Sequence, residues 1–553
     1  MSLWSTIGEK VKEIVKRMVG ARTIEQQLHM KPVISSQMEE AIQRWTDMYK
    51  EQAPWLHEPT YADPSRVVSL GLPAMIASEK ARTAMIEFES EITTPTEEVE
   101  VENPNYQEPV PDAFGNIIPS AEPQTITEDR PISDTARAEY LNEQYKKLKK
   151  QLRKQIEYGI AKGGLVIKPY PVVNNDPDVE ATTDLEFDFI QADAFYPLAF
   201  DASGKITEAA FLQTKAEKDT LYRRLEYHKW NGNKVEIVNK AFRSSNTQNM
   251  GDMSGVDLGE EIPLSAVPEW KDLKDKVTIR DVKQPLFAYF RMPEANTIDT
   301  SSPLGVSGYS RAEKLIKDAD MQYSRLLWEY EGGELAIDVD RDAMNFKTDS
   351  KGNNHQVMGH LQQRLYRPID LGESDTYQPY SPALRDSSYI QGLNTILMRI
   401  EDVTGLSRGT ISDASAEART ATELKILKQR SYQANADIQQ AIEDALREVI
   451  YIMDVYCDLY TITPEGEYDV NFEWDDSIIV DVDTELGKQI TLLQNGLTSK
   501  VEVRMWYYGE TERQAQEALL KVDQESQQAM EQNLIEQANM AQISARMNPE
   551  QGE

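Results

Sequence analysis

The chain of 553 residues contains a single cysteine, Cys457. A disulfide framework is therefore excluded, and the composition suits a reducing compartment. No run approaches the roughly 18 consecutive apolar residues of a membrane span, and no signal-peptide pattern opens the chain. The motifs of nucleotide and hydrolase chemistry are missing: there is no GxxxxGK[ST] loop, no GxGxxG opening a helix after a strand, no GxSxG elbow and no HExxH. Histidine is scarce, with only His29, His57, His228, His355 and His360. His355 and His360 lie five apart in a polar stretch, which is not the spacing of a helical zinc pair. No cofactor and no metal are expected. Basic residues are outnumbered, 59 against 93 acidic, for a formal charge of -34. Such a surface repels phosphate and excludes a conventional nucleic-acid clamp.

What the chain does have is helix of unusual length. Thr420 to Tyr460 holds no Pro and no Gly. Ala421, Leu424, Leu427, Ala434, Ile438, Ala441, Ala445, Val449, Ile452, Tyr456 and Leu459 recur mostly at steps of three or four, which predicts one helix with one buried face. At 1.5 Å per residue it would run about 60 Å. Cys457 sits on its apolar side and reads as a small buried hydrophobe. Ahead of it, Gly405–Ala418 is small, polar and Gly-containing, a loop feeding the helix.

The rest of the chain reads as several lobes of α+β type with a mainly antiparallel sheet. Residues 1–20 predict an amphipathic helix with Leu3, Ile7, Val11 and Met18 on one face, packing on protein rather than on a membrane. Trp45, Tyr49 and Trp55 are core candidates. Gly71–Ile92 predicts a second helix with Ala77, Ala81, Ala84, Phe88 and Ile92 in line. Thr94–Asp134 is rich in Pro and acidic residues, with Arg130 as its one basic residue, and predicts an exposed, disordered or extended loop. Asp134 then caps a helix with a stripe of Leu141, Tyr145, Leu148, Leu152 and Ile156. Its other side carries Lys146, Lys147, Lys149, Lys150, Arg153 and Lys154, a solvated face or a partner for an acidic neighbour.

Strands follow at LVIKPYPVV and LEFDFI, and Asn231-Gly232 marks a hairpin between TLYRRLEYHKW and KVEIVNKAFR. PLFAYFRM, Pro285–Met292, is a further strand. Two helices, Ser310–Tyr330 and Ser388–Thr404, flank a compact strand-and-loop unit at Glu334–Arg385; Ile390, Leu393, Leu397 and Ile400 share the face of the second. The densest carboxylate group is Asp475, Asp476, Asp481, Asp483 and Glu485. Ile478, Ile479 and Val480 divide it, and the D-x-D-x-D-G metal spacing is absent, so it reads as a strand with polar ends. Near the loop, Arg408, Arg419, Lys425, Lys428 and Arg430 suit either light phosphate contacts or ion pairs.

These segments in this order resemble the portal proteins of tailed bacteriophages, in particular those of siphophages of Gram-positive bacteria. The residues that carry the resemblance include APWL, GLPAMIASEKAR, AEYLNEQYKKL, EYGIAKGGLVIKPY, FIQADAFYPLAFDASGKI, PLFAYFRMPEANTIDTSSPLGVSGYSRA, QYSRLLWEYEGGELAID, YSPALRD, ARTATELKILKQRSY and FEWDDSIIVD. The acidic stretch 94–134 and the Gln-rich tail depart from it. The resemblance implies a multidomain portal fold with a wing, a two-helix stem, a clip and a mostly helical crown, assembled as a dodecameric ring. Mapped onto this chain, 1–92 would be a helical wing segment, 93–134 the acidic loop, 135–305 the α+β wing, 306–333 and 386–404 the stem helices and 334–385 the clip. The tunnel loop would be 405–418, followed by the long wing helix and strands at 419–480 and the crown and tail at 481–553.

The implied site is the tunnel loop, with Gly405, Ser407, Arg408, Gly409, Thr410, Ser412, Ser415 and Arg419 near the passing duplex. The implied partners are further copies of the chain, double-stranded DNA, the terminase large subunit, head-completion or adaptor proteins, and major capsid and scaffold proteins, with no membrane. The implied location is the virion's portal vertex, with assembly in the host cytoplasm. Two other readings are a metal-dependent nuclease built on the carboxylates 475–485 and an elongated helical adaptor.

Overall fold

Helix α1 (Ile24–Leu28) and helix α2 (Ser36–Tyr49) open the described chain. The structure is a computed structural model that describes residues 24–522 apart from 29, 31, 58–66, 87, 104–105, 107–109, 112–116, 119–124, 175–181, 219, 245–257, 341–345, 349–350, 352–353, 357–365, 370–376, 414–420 and 475–481. The amphipathic stretch 1–20 lies outside these residues. Ser35 caps α2, its hydroxyl accepting from the Met38 N–H at 3.3 Å. Trp45 on this helix is fully buried, as expected, whereas Tyr49 and Trp55 are only partly so. Helix α3 (Leu72–Ala84) carries Pro73 in its first turn.

The expected continuation of α3 to Ile92 does not occur. Phe88–Thr93 is strand β1, paired antiparallel with β20 (Asp469–Trp474) from Phe88↔Trp474 to Thr93↔Asp469. Ser90 and Ile92 are buried while Glu89 and Glu91 are exposed, the alternation of a strand. Phe88 stacks on Trp474 with ring centroids 4.3 Å apart. The tertiary partner overrides the helical spacing.

Nor is the acidic stretch simply a loop. Strands β2 (Thr96–Glu102) and β5 (Thr125–Pro131) pair antiparallel along their whole length, and β3 (Val110–Pro111) pairs with β4 (Ile117–Ile118). The segment is extended and exposed as expected, but it forms a two-stranded ribbon.

Helix α4 (Ala136–Lys162) follows with Thr135 at its N-cap. The Asp134 carboxylate accepts from the Ala136 N–H at 2.9 Å. Leu141, Tyr145, Leu148, Leu152 and Ile156 are all fully buried. Gly163 ends the helix at φ +90°, and a Cβ there would meet the Gly305 carbonyl oxygen at 2.6 Å, so only glycine fits.

Beyond it, β6 (Gly164–Asn174) and β7 (Thr182–Gln191) form the expected antiparallel pair. Next come β8 (Phe195–Phe200), β9 (Ile206–Glu217), β10 (Thr220–Trp230), β11 (Lys234–Ser244), β12 (Glu260–Ile262), β13 (Lys276–Arg280) and β14 (Ala288–Arg291). One sheet has the order β12-β11-β10-β9-β8, with β13 also on β11, and a second has the order β14-β6-β7. The β10–β11 hairpin turns at Gly232, φ +73°, where the sequence places it.

Helices α5 (Glu313–Gly332) and α6 (Asp386–Thr404) pack on each other. Between them lie β15 (Ala336–Asp340), β16 (Phe346–Thr348), β17 (Asn354–Gln356), β18 (Tyr366–Ile369) and β19 (Tyr377–Tyr380). Strand β15 runs parallel to β18 and antiparallel to β19, and β16 pairs with β17. The Glu329 carboxylate, near the end of α5, accepts from the backbone N–H of Arg385 at 3.1 Å and from its guanidinium at 2.7 and 3.1 Å. That pair ties the two ends of the strand unit together. On α6, Leu393 and Ile400 are buried but Ile390 is exposed, because the apolar stripe reaches beyond the face that the chain itself covers.

Helix α7 (Ala421–Tyr460) is 40 residues long, as the sequence predicts. Ile438, Ala445, Val449, Ile452, Tyr456 and Cys457 are buried against the sheets; Leu459, in the last turn, is exposed where the helix leaves the core. Burial pushes the Cys457 thiol up to about 12, which keeps it protonated and inert. The C-terminal end of α7 is clamped by Arg137 of α4, itself buried. Its guanidinium contacts Asp454, Asp458 at 2.7 Å and the Thr463 hydroxyl at 2.8 Å.

The first compact unit ends at Trp474. The second, Asp475–Glu553, contains α8 (Val482–Gln494), α9 (Lys500–Tyr508) and a helix at 512–522. Ser499 and Glu502 form a capping box at the start of α9.

Candidate functional site

The turn between α6 and α7 concentrates the special backbone geometry that the sequence points to. Gly405 caps α6 in the left-handed conformation, φ +77°, and its N–H donates to the Glu401 carbonyl. A Cβ at Gly405 would sit 3.2 Å from the Ala434 Cβ of the long helix. The chain must therefore leave α6 through a glycine, pressed against α7.

From there it folds back over a buried carboxylate. Glu401 is fully buried. Its Oε1 accepts from the N–H groups of Gly409 at 3.1 Å, Ile411 at 2.7 Å and Ser412 at 2.9 Å. Its Oε2 accepts from the Ser412 hydroxyl at 2.7 Å. Gly409 is left-handed at φ +90°, which turns these N–H groups toward one point. The result is an anion-binding nest occupied by the protein's own side chain.

The neighbouring residue of α6 deals with the loop's one described cation. Asp402 accepts from Arg408 in a two-pronged pair at 2.9 and 3.1 Å, which raises the guanidinium further above its ordinary value. Asn394, two turns earlier, accepts from the Asp413 N–H at 2.7 Å. Leu406 and Ile411 pack on the main core.

The sequence-predicted residues therefore separate. Gly405 and Gly409 are the two left-handed positions of a built turn. Ser412 is buried with its hydroxyl committed to Glu401. Arg408 is exposed but paired. Thr410 is exposed, and its hydroxyl donates to the Ser407 carbonyl at 2.6 Å. Ser415 and Arg419 lie outside the described residues, and of Lys425, Lys428 and Arg430 the helix alone is described. Glu401, which anchors the turn, is the residue that sequence reasoning missed. Its partners are mainly backbone N–H groups, which every residue supplies, so no spacing marks it.

Asp475, Asp476 and Asp481 fall outside the described residues, as does His360; Asp483 and Glu485 lie in α8. Among the described residues no group of three or more His, Cys, Asp or Glu is placed to hold a metal, and no helix is long and apolar enough to cross a membrane. The main buried ionic group is structural. Glu226 on β10 contacts Lys168 at 2.7 Å, His228 at 2.7 Å and Arg224 at 3.0 Å. Burial alone would raise the Glu226 carboxyl; Lys168, His228 and Arg224 instead hold it well below the usual carboxylate range. Burial pushes the His228 imidazole down, against the pull of Glu226.

A family model described as phage portal protein, SPP1 Gp6-like, matches residues 121–531, a span that contains every element from β5 to α9 and the whole turn between α6 and α7. No curated protein matches the chain.

Proposed function

Since the chain belongs to the SPP1 Gp6-like family of phage portal proteins, a structural and not a catalytic family, we propose that it works as a ring through which double-stranded DNA is packaged and ejected. Portal proteins of this family sit at one capsid vertex of the virion. In our reading twelve copies close the ring, helices α5 and α6 are the stem, and β15–β19 form the clip that docks the terminase large subunit and later the head-completion or adaptor proteins. The second compact unit is the crown, facing the major capsid and scaffold proteins, and assembly takes place in the host cytoplasm.

The observation that carries the reading is the run of helix, strand unit, helix, built turn and 40-residue helix inside the matched span. The tunnel loop is 405–418. Its described part supports a wall that guides DNA without holding it. The single described arginine is neutralised by Asp402, and Glu401 is spent on the loop's own backbone. What the tip offers is Gly409 and Thr410, small and uncharged. A strong phosphate contact here would trap the duplex at each step, whereas the formal charge of -34 repels the backbone and keeps it centred.

Electron microscopy of the purified protein tests the proposal. The expected result is a ring with a central channel wide enough for duplex DNA. A compact monomer at every concentration would overturn it and favour the adaptor reading. The nuclease reading has no support from a structural family.

A further inference from the structure

The acidic face of the ribbon β2–β5 and part of the cationic side of α4 are two surfaces that carry no ion-pair partner of opposite charge among the described residues. On the ribbon, register places Glu98, Glu100 and Glu102 on one face with Asp129, which lies directly opposite Glu98. No basic residue shares that face. The other face carries the ribbon's one cation, Arg130, 3.6 Å from Glu128. Like charges directly across a strand pair are destabilising, and an isolated two-stranded ribbon is marginal in water. Something must support it. Val99 and Val101, half-buried on the Arg130 face, do not suffice to make a core.

On α4, the cations divide in two. Lys149 donates to the Ser90 carbonyl, Lys146 approaches Glu91 at 4.0 Å and Lys147 approaches Asp184 at 3.7 Å. Lys150, Arg153 and Lys154 are exposed, and among the described residues none has an ion-pair partner. Their spacing puts them on one helical face. They lie about 21–27 Å along the axis from the helix start, where the ribbon joins it. Among the described residues no ion pair joins the ribbon to them within the chain.

We propose that the acidic face of the ribbon docks on the Lys150–Arg153–Lys154 face of a second copy of the chain. Charge complementarity selects the pair, because in a chain of formal charge -34 this is an uncompensated cationic helix face. Each copy carries one ribbon and one basic face; passed on from copy to copy, the contact is heterologous and closes a ring where the rotation between copies closes. The ring reading selects this arrangement over a two-fold pair, in which the same two faces would meet twice. The proposal rests on the ring reading above.

Carbodiimide cross-linking of mixed isotopically light and heavy full-length protein tests it. The expected products join a light peptide carrying Glu98, Glu100 or Glu102 to a heavy peptide carrying Lys150 or Lys154. In parallel, Lys150→Glu with Arg153→Glu and Lys154→Glu should lower the ring fraction at low salt by roughly tenfold or more. Adding Glu98→Lys, Glu100→Lys and Glu102→Lys should restore it, which also shows that the variants fold. Rings that form normally in the variant with Glu at 150, 153 and 154, together with no light–heavy cross-link at these residues in the wild-type protein, would overturn the docking and leave the ring intact. They would point instead to a capsid or scaffold partner for the ribbon. A chain that stays monomeric would overturn both.

Discussion

Replacing Glu401 by alanine removes the acceptor at the centre of the turn. The Ile411 and Ser412 N–H groups and the Ser412 hydroxyl lose their partner at once, while the Gly409 N–H keeps the Ser412 hydroxyl oxygen at 3.2 Å. An orphaned donor costs about 1–3 kcal/mol while it stays buried. Gly409 is exposed, so its N–H can rehydrate, whereas Ser412 is buried and Ile411 half-buried. The Ser412 hydroxyl can turn to another acceptor, so the two N–H donors of Ile411 and Ser412 set the expected loss at about 2–4 kcal/mol, felt as local opening and not as global unfolding. At 1.4 kcal/mol per factor of ten, opening of the turn should increase roughly 100-fold. Hydrogen exchange read by mass spectrometry on peptides covering 405–413 measures this directly. Glu401→Gln is the control. Its amide oxygen still accepts from the three N–H groups, and the Ser412 hydroxyl can rotate to accept from the amide nitrogen. Only charge assistance is lost, about 1 kcal/mol. Rings should form in both variants, with packaging impaired in the alanine variant. Exchange at wild-type rates in Glu401→Ala would refute the claim that this carboxylate builds the loop.

Three further outcomes follow from the same geometry. Gly405→Ala forces an L side chain into a left-handed cap and against Ala434, and should cost about 1–2 kcal/mol by chemical denaturation, whereas Gly487→Ala, in open space inside α8, should be stabilising by about 0.5–1 kcal/mol. Arg137→Ala strips the clamp from the end of α7 and leaves Asp454 half-sheltered without its cation; a loss of about 3 kcal/mol is expected in urea melts, smaller than for a fully buried pair because Asp458 is exposed. The His228 imidazole has a lowered folded-state value, so below its ordinary 6.5 the unfolded chain binds more protons and stability falls as the pH drops. His228→Gln should flatten the decline in melting temperature between about pH 6.5 and 5 relative to wild type; identical slopes would refute that assignment.

Helix faces were the legible part of the sequence. The stripes of α4 and α7 are long and uninterrupted by Pro or Gly, and burial follows the periodicity on α4 from Leu141 to Ile156 and on α7 from Ile438 to Tyr456. The β10–β11 hairpin was legible because Asn231-Gly232 is a local signal for a local turn. Strand β1 was not. Ala77, Ala81, Ala84, Phe88 and Ile92 advance mostly by four, and a step of four also satisfies the period of two. Only β20, far along the chain, decides which applies. The ribbon was hidden for the same reason: its composition says exposed, but pairing is a property of two segments. At the turn itself the glycines were legible and their purpose was not. In sequence they mark a loop; in the fold they are left-handed bends around Glu401. The Glu226 group was not read from the sequence, which shows a hairpin strand there and does not mark Glu226 and His228 as buried.

The pairing of β1 with β20 has a consequence for biogenesis. Phe88 leaves the ribosome long before Trp474 is made, a wait on the order of 20–80 s at ordinary rates of synthesis. Throughout that time β1 is an unsatisfied edge with a Phe and an Ile on it, the kind of edge that recruits other chains. The flanking glutamates at 89 and 91 keep like edges apart until the true partner arrives. Closure of the first unit is thus a late, non-local event, and such pairings are slow. A nascent chain stopped before Asp469 would have nearly all of the first unit's helices and sheets but not this seam, and aggregation in that window is the hazard the acidic residues guard against.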